Sequence, residues 1–129
     1  MTIRVLLADD QPLVREALRL MIDADPDMSV VAEASTGVEA IAGCRASAAD
    51  VVLMDNHMPG LSGVEASRQI SNDPGLATVR ILMHTAFVTE DLIATGIPAG
   101  VSGFLHKGVA PAILLQSIRD LAAASSSDR

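Results

Sequence analysis

Five short apolar runs alternate with longer segments of helical character along this chain of 129 residues, and that alternation limits the folds open to it. Strands that alternate with helices are typical of a parallel sheet covered by helices on both faces. The apolar runs predict strands near residues 3–9, 28–34, 50–55, 80–86 and 102–107. The expected fold class is therefore α/β, a three-layer sandwich built around a five-stranded parallel sheet.

The segments between these runs predict four regular helices and one irregular one. The first helix begins at Pro12, a position at which proline is tolerated, and stops before Pro26. Apolar residues at helical spacing predict further helices over 38–47, 64–71 and 110–124. Gly96 and Pro98 interrupt residues 87–100, so the fourth helix is expected to be short or irregular.

Composition favours one domain without a membrane span or a disulfide. Hydrophobic residues make up 50% of the chain, enough for a core at this length. No apolar stretch approaches the roughly 20 residues that a membrane span requires, and the N-terminus does not resemble a signal peptide. A cytoplasmic location is therefore expected. The single cysteine, Cys44, has no partner for an internal disulfide and is expected to fill space in a helix.

The net charge of −7 argues against nucleic-acid binding by this segment itself. Neutralising phosphates requires clustered lysine and arginine side chains, and stacking bases requires aromatic ones. The chain has neither Trp nor Tyr and contains two Phe residues. Any contact with DNA would therefore be made outside this chain.

Four of the predicted strands end in side chains that could do chemistry. In strand order they are Asp9 and Asp10, Asp55, Thr85, and Lys107. In an open parallel sheet, ligands bind beyond the carboxyl ends of the strands, where the strand order reverses. The common order for five strands, 2-1-3-4-5, is that of flavodoxin-like folds, and it would place Asp9 and Asp10 across a crevice from Asp55.

Three carboxylates in one crevice repel one another and require a cation. Two unit charges about 4 Å apart cost roughly 4 kcal/mol at an effective dielectric near 20. Mg²⁺ or Mn²⁺ suits hard oxygen ligands and binds through one or two carboxylates plus a substrate phosphate. Lys107 would add a second positive charge, Thr85 a hydroxyl donor and Asp55 a nucleophile. The group therefore suits phosphoryl transfer.

Each of these residues also has an ordinary structural interpretation. Asp9 and Asp10 can be a solvated strand end that caps the next helix. Thr85 can be a common β-branched strand residue, and Lys107 a solvated surface lysine. No phosphate-binding loop of the P-loop or GxGxxG type occurs in the sequence. The presence of all these residues at matching strand ends favours a site.

These motifs resemble those of the receiver domains of two-component response regulators, which share the CheY-like, flavodoxin-type fold. The resemblance covers about residues 3–124. It rests on residues 6–12 (LLADDQP), 52–55 (VLMD), 58–60 (MPG) with Gly63, Thr85-Ala86, and 102–107 (SGFLHK). It implies a receiver domain over 1–124, with the start of a linker or a disordered tail at 125–129.

The resemblance also implies a metal site that holds Mg²⁺, with Mn²⁺ possible. Asp55 would be the phosphoacceptor and would bind the metal as well. Asp10 would bind the metal directly, and Asp9 directly or through water. The backbone carbonyl of His57 would be the remaining protein ligand.

The same resemblance implies a phosphorylation switch. Thr85 and Lys107 would hold the phosphoryl oxygens, and Phe104 would be the aromatic switch residue that follows Thr85. The implied partner is a sensor histidine kinase, which would donate the phosphoryl group, and the implied output is a conformational change or homodimerisation. Such a domain is not an enzyme with an external substrate, because it catalyses only its own phosphorylation and dephosphorylation.

Several details resemble the LuxR/NarL-type branch of response regulators. They are residues 9–12 (DDQP), 59–66 (PGLSGVEA) and 103–108 (GFLHKG), where Gly108 stands in place of the proline found in many other receivers. This branch implies control of transcription through a helix-turn-helix domain outside this chain.

Three features depart from the family pattern. Asn56 is polar where an apolar residue is usual, and the segment around Gly96 and Pro98 is longer and more broken. His84 and His106 each precede a site residue, and strand alternation turns each away from that residue. We therefore expect these two histidines to neighbour each other on the opposite face, as a packed or hydrogen-bonded pair, with a pH-sensitive or metal-binding pair as the alternative.

Two other functions stay open. A Mg²⁺-dependent phosphatase resembling the haloacid dehalogenases would also use an aspartyl nucleophile. Such enzymes require a second Asp two residues later, where this chain has His57. A phosphorylation-independent interaction module would keep the fold without the switch. The complete set of site residues argues against that module, and the irregular fourth helix keeps it open.

Overall fold

The computed structural model describes residues 2–127, over which five strands alternate with five helices. The strands are β1 (Ile3–Ala8), β2 (Met28–Ala34), β3 (Val51–Met54), β4 (Arg80–Thr85) and β5 (Gly103–His106). The helices are α1 (Pro12–Asp23), α2 (Gly37–Ser47), α3 (Gly63–Ser71), α4 (Glu90–Gly96) and α5 (Pro111–Ser127). Among these described helices, none has both the length and the apolar character that a membrane crossing requires.

All neighbouring strands pair in parallel, in the order β2-β1-β3-β4-β5. This confirms the predicted fold class and strand order. The order reverses between β1 and β3, which lie side by side with Leu7 paired to Leu53. The carboxyl ends of these two strands therefore form the crevice that the topology predicts.

Side-chain caps explain where three of the helices begin. At the starts of α2, α3 and α4, a side-chain hydroxyl accepts the backbone N–H group of the residue three positions later. These hydroxyls belong to Thr36, Ser62 and Thr89. Such caps satisfy donors that have no partner inside the helix. The first helix begins instead at Pro12, as the sequence predicts.

The core consists of two apolar clusters, one on each face of the sheet. Val5, Leu7 and Leu53 face α1 and α5, whereas the alternate strand residues, such as Leu6 and Val52, face α2, α3 and α4. Strand alternation produces this division, since successive side chains point to opposite faces. Cys44 lies buried in the cluster that faces α2, α3 and α4, as expected. Its burial raises the pKa of the thiol to about 11.

Two helix boundaries bear on the predictions. The fourth helix is short, as expected, and ends at Gly96, where a side chain would come within 2.8 Å of the Phe104 ring. The last helix continues to Ser127, past the predicted end at residue 124, so residues 125–127 are helical. The rest of the predicted polar tail, residues 128–129, lies outside the described part of the chain.

The prediction that the two histidines form a neighbouring pair is wrong. Strand β5 pairs with β4 so that His84 lies beside Leu105 and His106 lies beside Thr85. The two imidazoles therefore project from opposite faces of the sheet. The Nδ1 atom of His106 accepts the backbone N–H of Gly108 at 2.9 Å. The imidazole of His84 lies on the opposite face of the sheet, beside α1 and α5.

Candidate functional site

Backbone hydrogen bonds hold two carboxylates at the crevice between β1 and β3. The N–H of Asp9 donates to the carbonyl of Ala34 at 3.0 Å, and the N–H of Asp55 donates to the carbonyl of Ala8 at 2.9 Å. Both residues continue the strand pairing by one position beyond the strand ends. Asp9 and Asp55 are only 2% and 4% exposed, whereas Asp10 is exposed at the mouth of the crevice.

The three aspartates form a compact oxygen cluster. Carboxylate oxygens of Asp9, Asp10 and Asp55 lie within 4.8 Å of one another. Two of these side chains are oriented by turns that follow them. Oδ1 of Asp9 accepts the N–H of Gln11 at 2.9 Å, and Oδ1 of Asp55 accepts the N–H of His57 at 3.1 Å. The Oδ2 atoms of both aspartates face the Lys107 ammonium instead.

Lys107 bridges the two buried carboxylates. Its Nζ lies 2.8 Å from Oδ2 of Asp9 and 3.0 Å from Oδ2 of Asp55. Partial burial by itself lowers the pKa of Lys107, but the contacts with Asp9 and Asp55 outweigh it and hold the pKa above its usual value. The side chain is therefore an ammonium ion at neutral pH.

The charges of the cluster fit a divalent cation. Three carboxylates face one ammonium, and buried Oδ2 of Asp9 meets that ammonium without a well-aligned hydrogen bond. Oxygen-only ligands with surplus negative charge are the donor set that Mg²⁺ prefers. Asp9, Asp10 and Asp55 therefore have the chemistry required to hold such an ion.

Thr85 places an unpartnered hydroxyl at the end of β4, the strand next to β3. The residue is fully buried, and within residues 2–127 its Oγ1 has no hydrogen-bond partner. Its carbonyl accepts the N–H of Lys107 at 2.8 Å, which fixes the end of β5 against the end of β4. A buried hydroxyl without a partner costs about 1–3 kcal/mol, so an oxygen ligand at this place would relieve a penalty.

Phe104 and His57 lie outside the carboxylate cluster. Phe104 pairs with Met83 in the sheet and packs toward Gly96 of α4. It lies on the same face as Thr85 but two residue pairs away along the strands. The side chain of His57 is exposed, and its backbone N–H is the group that contacts Asp55. The structure thus brings together the four charged residues predicted from the sequence, and Thr85 ends the neighbouring strand β4.

The loop after β3 depends on Asn56, whose polar character departs from the expected pattern. Its Oδ1 accepts the N–H of Val64 at 3.1 Å, and its carbonyl accepts the N–H of Gly63 at 3.1 Å. A side chain at Gly63 would come within 2.4 Å of the carbonyl oxygen of Asp55, so the start of α3 passes very close to the site. Asn56 therefore ties that helix to the strand end that carries Asp55.

Arg15 supports the site in a way that sequence reasoning missed. The sequence pattern of α1 indicates a polar face that includes Arg15. In the structure its Nη1 donates to the carbonyl of Asp9 at 2.5 Å, and its Nε donates to Glu33 at 3.1 Å. The sequence feature that could have indicated this contact is Glu33, an acidic residue near the end of β2, the strand next to β1.

Comparison with known proteins agrees with this geometry. Residues 5–119 match the family model for the response regulator receiver domain. The transcriptional regulatory protein YxjL of Bacillus subtilis is 45% identical over 117 residues, which are 91% of this chain and 53% of that protein. Response regulator UvrY of Escherichia coli K12 is 43% identical over 119 residues, which are 92% of this chain and 54% of that protein. The chain thus spans about half the length of these curated relatives.

A solved structure extends the likeness to the fold. The LuxR-family two-component response regulator from Aurantimonas sp. SI85-9A1 superposes with a TM-score of 0.89 at 38% identity, over 96% of this chain and 87% of that one. Its family is the branch indicated by residues 9–12, 59–66 and 103–108. The chain therefore belongs to the response regulator receiver family, in its LuxR/NarL-type branch.

Proposed function

We propose that Asp55 takes a phosphoryl group from the phosphohistidine of a sensor histidine kinase. One carboxylate oxygen of Asp55 attacks phosphorus, an O–P bond forms, and the P–N bond breaks. The imidazole leaves with the electron pair of that bond and gains a proton. The observation that carries the proposal is the placement of a buried Asp55 carboxylate beside the Lys107 ammonium, at the edge of a crevice that also holds Asp9 and Asp10.

The proposed metal is Mg²⁺, with Mn²⁺ as a possible substitute. Asp9, Asp10, Asp55 and the backbone carbonyl of His57 would hold it. When bound, the ion would neutralise charge on the phosphoryl oxygens. The chain itself orients the nucleophile, because the His57 N–H holds one oxygen of Asp55 and the Lys107 ammonium contacts the other.

Thr85, Lys107 and Phe104 form the proposed switch. A phosphoryl group adds about −1.5 to −2 units of charge, which offers new acceptors to the Thr85 hydroxyl and the Lys107 ammonium. Charge-assisted hydrogen bonds contribute about 1.5–3 kcal/mol each, so two of them approach the roughly 5.5 kcal/mol that inverts a 1:99 equilibrium. Movement of Thr85 would free space beside Phe104, and the changed surface would support homodimerisation.

The domain would act as a switch that catalyses only its own phosphorylation and slow dephosphorylation. Residues 1–124 would lie in the receiver domain, whose last helix continues to Ser127, and a linker would follow that helix. Control of transcription would pass through a helix-turn-helix domain outside this chain, which is where any DNA contact would be made. A cytoplasmic location suits this role, since the proposed donor is the phosphorylated domain of a kinase.

Intact-mass spectrometry tests the proposal directly. After incubation with a small acyl phosphate and Mg²⁺, the wild-type chain should gain the mass of one phosphoryl group. The variant Asp55→Asn should gain none, because an amide cannot attack phosphorus in place of a carboxylate. The matched control is Asp120→Asn, which makes the same chemical change at an exposed position of α5 and should be phosphorylated like the wild type.

Each other outcome points to a different function. Equal phosphorylation of Asp55→Asn would contradict the assignment of the phosphoacceptor. Release of free phosphate over many turnovers would favour a phosphatase. A folded wild-type chain that takes up no phosphoryl group from either a small donor or a phosphorylated kinase would indicate the phosphorylation-independent module.

A further inference from the structure

A cavity lies between α1 and α5, on the face of the sheet opposite Thr85. Its volume is about 340 Å³, and its walls are largely apolar, with Val14, Leu18 and Met21 from α1 and Leu114 from α5. Cavities that bind small molecules start at about 300 Å³ and combine apolar walls with a few polar groups. This cavity has that size and that kind of lining.

His84 supplies an unpartnered polar group to this cavity. The residue is 6% exposed, and no hydrogen bond joins its imidazole to any residue from 2 to 127. Its ring nitrogens are not among the fully buried polar atoms that lack a partner in residues 2–127, so they are open to a molecule in the cavity. Burial, the neighbouring Lys107 charge and, least of all, His106 lower the pKa of His84 against opposing effects of Asp9 and Asp55. A neutral imidazole offers one donor and one acceptor.

The charges around the cavity favour a neutral occupant. Lys107 lines the cavity too, but its ammonium is already engaged by Asp9 and Asp55. With Asp10 close by, the surroundings of that ammonium carry surplus negative charge. A carboxylate or phosphate in the cavity would be repelled by these groups and would lose hydration to apolar walls.

We propose that this α1–α5 cavity binds a small, neutral and mainly apolar molecule whose one hydrogen-bonding group contacts the imidazole of His84. The apolar part of the molecule fills the space between α1 and α5. The hydrogen-bonding group completes the partner set of His84. The assignment does not depend on phosphorylation of Asp55, and its test uses the unphosphorylated chain.

Three probes of similar shape separate the contributions to binding. The first probe, 4-methylphenol, is neutral and carries a hydroxyl group. The second, toluene, is neutral and lacks that hydroxyl. The third, 4-methylbenzoate, is an anion. We expect 4-methylphenol to cause saturable NMR shifts of the His84 ring and of the Val14 and Leu18 methyl groups. Toluene should bind about fivefold more weakly, the usual effect of one neutral hydrogen bond. The anionic probe should bind most weakly.

Two variants locate the bound probe. Ala17 is an exposed residue of α1 that lines the cavity, so Ala17→Phe should fill part of it and remove the saturable shifts. Ala94→Phe makes the same change at an exposed position of α4 and should leave binding intact. His84→Phe should abolish the preference for 4-methylphenol over toluene. If that variant does not fold, the ranking of the probes on the wild-type chain still decides the point.

Several results would overturn the inference. They are the absence of saturable shifts at these methyl groups, equal binding of all three probes, and unchanged binding by Ala17→Phe. Sedimentation of the unphosphorylated chain as a dimer, together with probe exclusion, would assign the cavity to a second copy of the chain instead.

Discussion

Ala48 has a left-handed backbone conformation, with φ 54° and ψ 45°, directly after α2. This conformation is unfavourable for a residue with a Cβ, and glycine is the usual choice at such a helix end. We expect Ala48→Gly to raise the free energy of unfolding by about 0.5–1 kcal/mol, since relief of strain exceeds the added flexibility of the unfolded chain.

The control for this change lies two residues earlier. Ala46 is exposed within α2, where glycine is unfavourable, so Ala46→Gly should lower the free energy of unfolding by about 1 kcal/mol. Urea unfolding followed by circular dichroism measures both variants. Effects of the same sign would contradict this account of Ala48.

His84 makes the stability of the domain sensitive to acid. Burial is the largest cause that lowers its pKa below the ordinary 6.5, so the unfolded chain binds a proton at this side chain more readily than the folded one. The favourable contribution is complete above about pH 6.5 and is lost as the pH falls from there through the lower pKa of the folded state. Between pH 7.5 and 5.5, His84→Asn should therefore lose less unfolding free energy than the wild type. Equal losses in urea unfolding would remove His84 as a cause.

Single residues also show where sequence reasoning stops. Asp55 and Lys107 could be placed because a strand end is visible as the last residue of an apolar run. The relation of His84 to His106 could not, because alternation is a property of one strand, whereas the offset between β4 and β5 depends on hydrogen bonds between them. The reach of Arg15 to Asp9 was equally hidden, because a long side chain on a polar helix face can bend back to the sheet.

At the scale of elements, the β3–α3 connection is the most constrained part of the site. Asn56→Ala would leave the N–H of Val64 without its side-chain acceptor. We expect a loss of about 1–2 kcal/mol in unfolding free energy, as for other lost helix-start acceptors. Faster hydrogen exchange should appear at Val64 and Glu65, where α3 begins.

Asn72 provides the matched control for this loop. It is exposed at the end of α3, and its side chain makes no hydrogen bond within the described residues 2–127. Asn72→Ala should leave stability within about 0.5 kcal/mol of the wild type. A comparable loss in both variants would argue against a special role for Asn56.

The sequence predicts which segments form strands and helices better than it predicts the residues at which they end. Apolar runs predict all five strands, and Pro12 marks the start of α1. The end of α5 at Ser127 was missed because small polar residues are compatible with either a helix or a tail. The shortness of α4 was predictable from Gly96 and Pro98, but its packing against Phe104 required the structure.

For the molecule as a whole, Mg²⁺ should add stability. An ion that binds the folded state alone stabilises it by about 1.4 kcal/mol at ten times its dissociation constant. We expect Mg²⁺ to raise the melting temperature of the wild-type chain and a chelator to reverse the effect. Asp10→Asn should remove most of the response, because this exposed carboxylate completes the oxygen cluster. Sodium chloride at equal ionic strength is the control, and an equal response in Asp10→Asn would contradict the assignment of the metal ligands.

The sheet that divides the core in two has a consequence for how such a domain can evolve. Thr85 and His84 are adjacent in sequence, yet Thr85 lies on the side of the sheet that Met83 shares with α2, α3 and α4, and His84 lies on the side of α1 and α5. Substitutions among the helices of one side rarely touch the packing of the other, so the two surfaces can diversify at different rates. A lineage could thus change what it recognises on one side while it keeps an inherited response on the other.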